Sequence, residues 1–281
     1  MEDTMPIQNH IFQGARDDHA VSTYGTLVPS YITLHYTLGG TVSGSVNHLN
    51  TQGFGYHIIV DRNGDIYQTA PFNQTVRHAG KSNWRGWDSL NDFSIGLCFA
   101  NYGPCYKQGN GFKNSYNSTI PEDRVVGGSH YNGEKRYQDI YWEIFPQVQV
   151  DAALRVVDAL VGEYQIRDVV RHDDVSIARK VDTGPALDIA PFHALVGDRS
   201  SELIHKFRVT GVPAGDTLTL RSSFSASSSK AGEFQNGDIL YVHSRSYRRY
   251  NGRMVKSKWC AVSIDGLNRI GFVSMSYLEP V

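Results

Sequence analysis

The pattern of apolar residues changes near residue 200, and that change limits what the chain can fold into more than any other feature. Before it, runs of strand length are interleaved with one long helical pattern; after it, only short strand-like runs remain. Residues 31–36 (YITLHY), 54–60, 65–69 and 93–100 (FSIGLCFA) read as strands. The second and third are joined by the Asn63-Gly64 turn of a hairpin. Behind Pro146, the residues Val150, Ala153, Leu154, Val157, Leu160, Val161 and Tyr164 recur at i, i+3, i+4, i+7 spacing. This predicts a helix with Gly162 in its last turn. Strands mixed with helix point to an α/β (α+β) domain over 1–195, a central mixed sheet flanked by helices.

From about 207 the runs LTLR, DILYVHS, WCAVSI and IGFVSMSYL return at intervals near ten residues, between Gly, Ser and Asn turns. That is the rhythm of a small all-β barrel over 207–281. A linker is expected around 196–206, and the Ser-rich stretch 222–229 is read as a barrel loop. Residues 101–140, rich in Gly, Asn and Tyr, show neither helical nor strand period. They are too long for a routine connection and are expected to form a lid or a rim of the site.

With 40% hydrophobic and 11% aromatic residues the chain can build a core, which excludes bulk disorder. No apolar run approaches the ~20 residues of a membrane span. Met1 to Ala20 is polar and acidic, so no cleavable export signal is expected there, although other export routes need none. The odd, sparse set Cys98, Cys105 and Cys260 argues against a disulfide scaffold. A Cys98–Cys105 bridge is conceivable, but buried, idle thiols are the better expectation. Charge is divided unevenly: from Leu203 onward eleven Lys/Arg face five acids, giving +6 against −7 for the rest. This favours two units, the second drawn to an anionic surface.

Eleven histidines make any single one uninformative. His35 stands out because it closes an apolar strand, and His172 because it follows the strand-like Asp168-Val169-Val170. Asp182 lies ten residues further on, with Lys180 two before it, in RHDDVSIARKVDTGP. Two imidazoles and a carboxylate suit Zn²⁺ and leave a position for water. A nearby ammonium suits an oxyanion formed on an amide. Spacing alone leaves alternative sets open, using His48, His57, His78 or Asp173.

The segments ITLHYT (32–37), FGYHIIVDRNGDIYQ (54–68), VRHAG (76–80), NDFSIGL (91–97) and RHDDVSIARKVDTGPALD (171–188) occur in an order that resembles the type 2 N-acetylmuramoyl-L-alanine amidases. These zinc enzymes are related to the peptidoglycan recognition proteins. The resemblance implies cleavage of the amide between N-acetylmuramic acid and L-alanine of peptidoglycan. It implies His35, His172 and Asp182 as zinc ligands, Lys180 as the oxyanion stabiliser, and His78 near the cleft, as a substrate contact or a structural histidine. Some relatives carry a glutamate at the fifth position of SIGxE, where this chain has Cys98. Others use a tyrosine at the place of Tyr56, which is therefore expected to orient the water or the scissile group. The tail, through 218–242 and 270–280, resembles a bacterial SH3-type wall-binding domain, with Tyr241, Tyr247, Tyr250 and Trp259 offering faces for sugar or peptide.

Three rival readings follow from the same residues. A recognition-type binding protein would keep the fold without catalysis, but such members lose a ligand or the activating residue, and here all are present. A cysteine peptidase would use Cys98, yet a Cys inside an apolar strand is usually inert. Nucleic-acid binding by the basic tail ranks below wall binding. The expected partner is peptidoglycan, with no nucleic acid and no membrane span. The expected workplace is the periplasm or cell wall, reached as a phage endolysin or as a secreted effector with a delivery or immunity protein.

Overall fold

A computed structural model of the chain describes residues 6–84, 87–128, 130, 140–176, 179–196, 205–222, 226–250, 253–264 and 271–281, with the backbone alone at 140, 205, 243–250, 253–258 and 261. The first unit runs β1 (Tyr31–Tyr36), α1 (Val42–Gln52), β2 (Ile58–Val60), β3 (Ile66–Gln68) and β4 (Ser94–Phe99). An inserted group follows: β5 (Pro104–Gln108), β6 (Gly111–Lys113), β7 (Thr119–Ile120), β8 (Val125–Gly128) and β9 (Ile140–Glu143). Then come α2 (Gln147–Glu163), β10 (Asp168–Arg171), α3 (His172–Val175) and α4 (Ala190–Leu195).

The central sheet has the order β10-β1-β4-β2-β3, parallel except for the β2–β3 hairpin, so it is mixed as expected. Every residue of β1 and β4 is buried, which explains their unbroken apolar runs. The strand expected to begin at 54 begins at 58, because Phe54, Gly55 and Tyr56 line a cleft instead.

Helix α1 is capped by Thr41, whose hydroxyl accepts from the Gly44 amide, and ends at Gly53 in the left-handed region (φ 67°). Helix α2 buries Ala152, Ala153, Val156, Val157 and Leu160, while Val150, Leu154 and Val161 pack at its margin. The expected stripe is thus rotated by one position toward the two alanines, which let the helix approach the sheet closely. Each fully buried Val or Leu there contributes roughly 1.5–3 kcal/mol. Gln149 is buried with them and donates Nε2–H to the carbonyls of Val60 (2.9 Å) and Ala100 (3.1 Å).

Residues 101–140 correct the expectation of a stretch without strands. They lead into a five-stranded antiparallel sheet of order β7-β6-β5-β9-β8, built over 104–143. Its strands are two to five residues long, too short to show a period. Cys105, Phe112 and Ile120 form its core. Buried Glu143 ties it to the main sheet, accepting from the Tyr102 amide at 2.6 Å and pairing with Arg62 at 3.2 Å and with Arg124.

The second unit is all-β. Strands β11 (His205–Val209), β12 (Leu218–Arg221), β13 (Lys230–Phe234), β14 (Ile239–Tyr250), β15 (Arg253–Ser263), β16 (Gly271–Ser274) and β17 (Leu278–Pro280) form one antiparallel sheet of order β13-β12-β16-β15-β14-β11-β17. It has its own apolar cluster, including Phe207, Val209, Leu240, Val262 and Val273. The ten-residue rhythm is broken by the long β14–β15 hairpin. Most of the expected linker, 197–204, lies outside the described residues, as do part of the 222–229 loop and the side chains of Tyr247 and Tyr250. All three cysteines are free and buried. Among the described residues no helix is long and apolar enough to cross a membrane.

Candidate active site

Parallel pairing of β10 with β1 sets Arg171 beside Leu34, so the residues that follow, His172 and His35, emerge together at one sheet edge. Asp182 is carried there by the loop after α3, where its carbonyl accepts from the Asp173 amide at 2.7 Å. The loop then turns at Gly184, whose φ of 74° favours glycine and where a Cβ would meet the Trp142 ring at 2.6 Å. Trp142 belongs to the inserted sheet, which therefore buttresses the third residue of the group.

His35 Nδ1 lies 3.1 Å from His172 Nδ1 and 3.0 Å from Asp182 Oδ2, and His172 Nδ1 lies 2.8 Å from the same oxygen. Among the described residues these three form the one group of metal-ligating atoms close enough to share an ion. Their tautomers follow from the far side of each ring. His172 Nε2 is 3.0 Å from the Ala79 carbonyl, so it carries the proton and Nδ1 carries a lone pair. His78 Nε2 faces the Ser94 carbonyl at 3.1 Å, so its Nδ1 accepts from His35 Nε2–H at 3.0 Å. That leaves a lone pair on His35 Nδ1 as well. Burial pushes the His35 pKa down to about 4, so its ring is neutral at neutral pH. Three converging lone pairs repel one another unless a cation sits among them, and this N₂O set fits Zn²⁺.

His172 and Asp182 line an open cleft of about 460 Å³, together with Tyr56, Lys180, Arg179 and His78, and His35 is buried behind them. Lys180 is half-buried in the cleft lining, two residues before Asp182. The Tyr56 ring stands 4.9 Å from the His35 ring, and its phenol hydrogen-bonds the Cys98 thiol. Burial raises the pKa of both groups, with Cys98 adding to the rise for Tyr56 and Asp182 to that for Cys98. Both stay protonated, which makes Tyr56 a donor and disfavours Cys98 as a nucleophile.

His78 lines the cleft wall, but both of its ring nitrogens are engaged. The alternative ligands separate in space. His57 is spent on the Gln74 carbonyl and the Gly96 amide, Asp173 pairs with His130 at 2.6 Å, and His48 is exposed on α1. Trp259 lies half-buried on β15, opposite Ser274, and is not among the cleft residues. Sequence reasoning overlooked Asn91, whose Oδ1 accepts from the His78 and Ala79 amides at 2.9 and 2.7 Å. It also overlooked Arg179, whose guanidinium donates to the Ala79 and Lys81 carbonyls at 2.8 Å. Both lie in the motif segments or beside them, which was the available signal.

The mixed sheet thus carries an N₂O donor set beside an open cleft. Residues 25–185 match the N-acetylmuramoyl-L-alanine amidase family (Amidase_2), and the chain belongs to that family. The family is zinc-dependent in general. The chain is 26% identical over 148 residues to the 1,6-anhydro-N-acetylmuramyl-L-alanine amidase AmpD of Enterobacter cloacae, covering 52% of this chain and 59% of that protein. It is 27% identical over 163 residues to the N-acetylmuramoyl-L-alanine amidase AmiD of Escherichia coli K12, covering 55% and 48%. It thus spans about half the length of the curated relatives it matches. Among solved structures it is similar to a selenomethionine derivative of AmpD, with a TM-score of 0.47 and 20% identity over 68% of this chain and 99% of that one. A complex of E. coli AmiD with anhydro-N-acetylmuramic acid-L-Ala-D-γ-Glu-L-Lys gives a TM-score of 0.45 at 20% identity, over 76% and 72%.

Proposed function

We propose that this chain hydrolyses the amide between N-acetylmuramic acid and L-alanine in peptidoglycan, with Zn²⁺ held by His35, His172 and Asp182. The observation that carries the reading is the convergence of three ligand atoms, His35 Nδ1, His172 Nδ1 and Asp182 Oδ2, within 3.1 Å of one another beside an open cleft. When bound, zinc supplies Lewis acidity toward water and toward the scissile carbonyl. His78 and the Ala79 carbonyl orient the two imidazoles. Lys180 presents an ammonium to the oxygen that gains charge as the amide carbonyl is attacked. Tyr56, held neutral, orients the water or the scissile group. The amine of L-alanine leaves protonated.

The basic all-β unit is proposed to be an SH3-type wall anchor, its +6 charge suiting an anionic wall polymer. On this reading the protein works in the periplasm or cell wall, as an endolysin or a secreted lytic effector. Purified sacculi test the chemistry: activity should vanish with a chelator, return with Zn²⁺, and survive a thiol alkylator. The reverse pattern would favour a cysteine peptidase.

A further inference from the structure

We propose that the inserted sheet carries a second subsite, one that takes a carboxylate-bearing stem peptide next to the peptide being released. The identity of its ligand rests on the amidase reading. The insert contributes Pro104, Tyr106, Ser115 and Tyr116 to the cleft lining. Beyond Tyr106 and Ser115 lies a second depression of about 370 Å³ that shares both residues with the cleft and adds Lys107, Gln108, Lys113 and Asn117. The two hollows therefore meet along a common ridge, and a ligand longer than one muramyl peptide can occupy both.

The lining names the chemistry. Its charged side chains are two lysines, with no acid among them, and the remainder are amides and hydroxyls beside the Tyr106 ring. A neutral saccharide would use the ring and the amides but has no call for two ammonium groups. A peptide linked through the side chain of a γ-bonded glutamate has a free carboxylate, as does its C-terminus, and cross-linking brings a second such peptide close to the first. The depression is also built in advance. Asn114 Oδ1 accepts from the amides of Tyr116 (3.0 Å) and Ser118 (2.9 Å), and Lys113 Nζ donates to Thr119 Oγ1 at 2.8 Å. None of these residues takes part in the hydrolytic step described above.

The test uses the full chain and two sugar-free peptides, a single stem peptide and its cross-linked dimer, neither of which contains the scissile bond. Titration calorimetry should show the dimer binding wild type more tightly than the single peptide. In a Lys107→Ala/Lys113→Ala variant the dimer should bind about five- to tenfold more weakly and lose most of its salt dependence. The single peptide should be unaffected, and a Lys107→Arg/Lys113→Arg variant should restore dimer binding. Lys107 is exposed, so Lys107→Glu provides a second variant that does not disturb the fold. A dimer that binds no more tightly than the single peptide, or one whose affinity ignores these substitutions, would overturn the proposal. Hydrolysis of sacculi is scored separately: wild type inert on sacculi would sink the amidase reading while the binding result still judged the subsite.

Discussion

His35 and His78 stand edge to face, with His35 Nε2 3.0 Å from His78 Nδ1 and ring centroids 5.1 Å apart. The chain brings them together by backbone economy at Gly96, where any Cβ would meet the His78 ring at 2.7 Å. The contact fixes the tautomer of His35, and with it the direction of the lone pair on Nδ1.

Removing that brace should weaken the metal site without removing a ligand. His78→Ala is expected to lower zinc affinity by about 10- to 100-fold, measured by competition with a chromophoric chelator. Unchanged affinity would show that the ring of His35 is held by packing alone.

Lys180 carries no ligand role, so its removal should separate catalysis from metal binding. Lys180→Ala is expected to keep its zinc content and a near-normal KM while kcat falls by about 10²- to 10³-fold. Metal analysis beside steady-state kinetics checks both halves.

Acid should destabilise the metal-free protein through its buried neutral histidines. Burial lowers the His57 pKa from 6.5 to about 4, opposed in part by the hydrogen bond to the Gln74 carbonyl. The unfolded chain then binds more protons than the folded one between these values. Stability is full above about 6.5 and is lost as pH falls toward 4, by an amount on the order of 3 kcal/mol for this residue. Denaturant melts of wild type and His57→Gln across pH 4–7 should show a shallower slope in the variant.

Cys98 is fully buried and its thiol stays protonated. Alkylating reagent applied to the folded protein should therefore leave hydrolysis intact. Cys98→Ser, which keeps an acceptor for the Tyr56 phenol, should retain more activity than Cys98→Ala. Equal losses in the two variants would deny the contact a part in holding Tyr56.

Much of this was legible in the residues. The six-residue apolar run ending at His35 and the segment around His172 and Asp182 located the two elements that meet in register. Spacing could not choose among the histidines, because His57 and His35 lie in similar apolar surroundings. What separates them is the far side of each ring, where backbone carbonyls and amides arrive from distant sequence. The inserted sheet escaped notice because its strands, two to five residues long, hold too few alternations to stand out. The Gly109-Asn110 pair between Tyr106 and Phe112 was its one hairpin signal. The contact between Tyr56 and Cys98 was likewise hidden, since it joins a cleft loop to the middle of a buried strand.

Identification of the bond cut in purified sacculi is the most direct test of the central claim. Mass spectrometry of the soluble products from zinc-loaded wild type should show stem peptides with a free L-alanine amine and no attached sugar, and Asp182→Asn should release none. Products that retain muramic acid on the peptide, or equal release by Asp182→Asn, would contradict it.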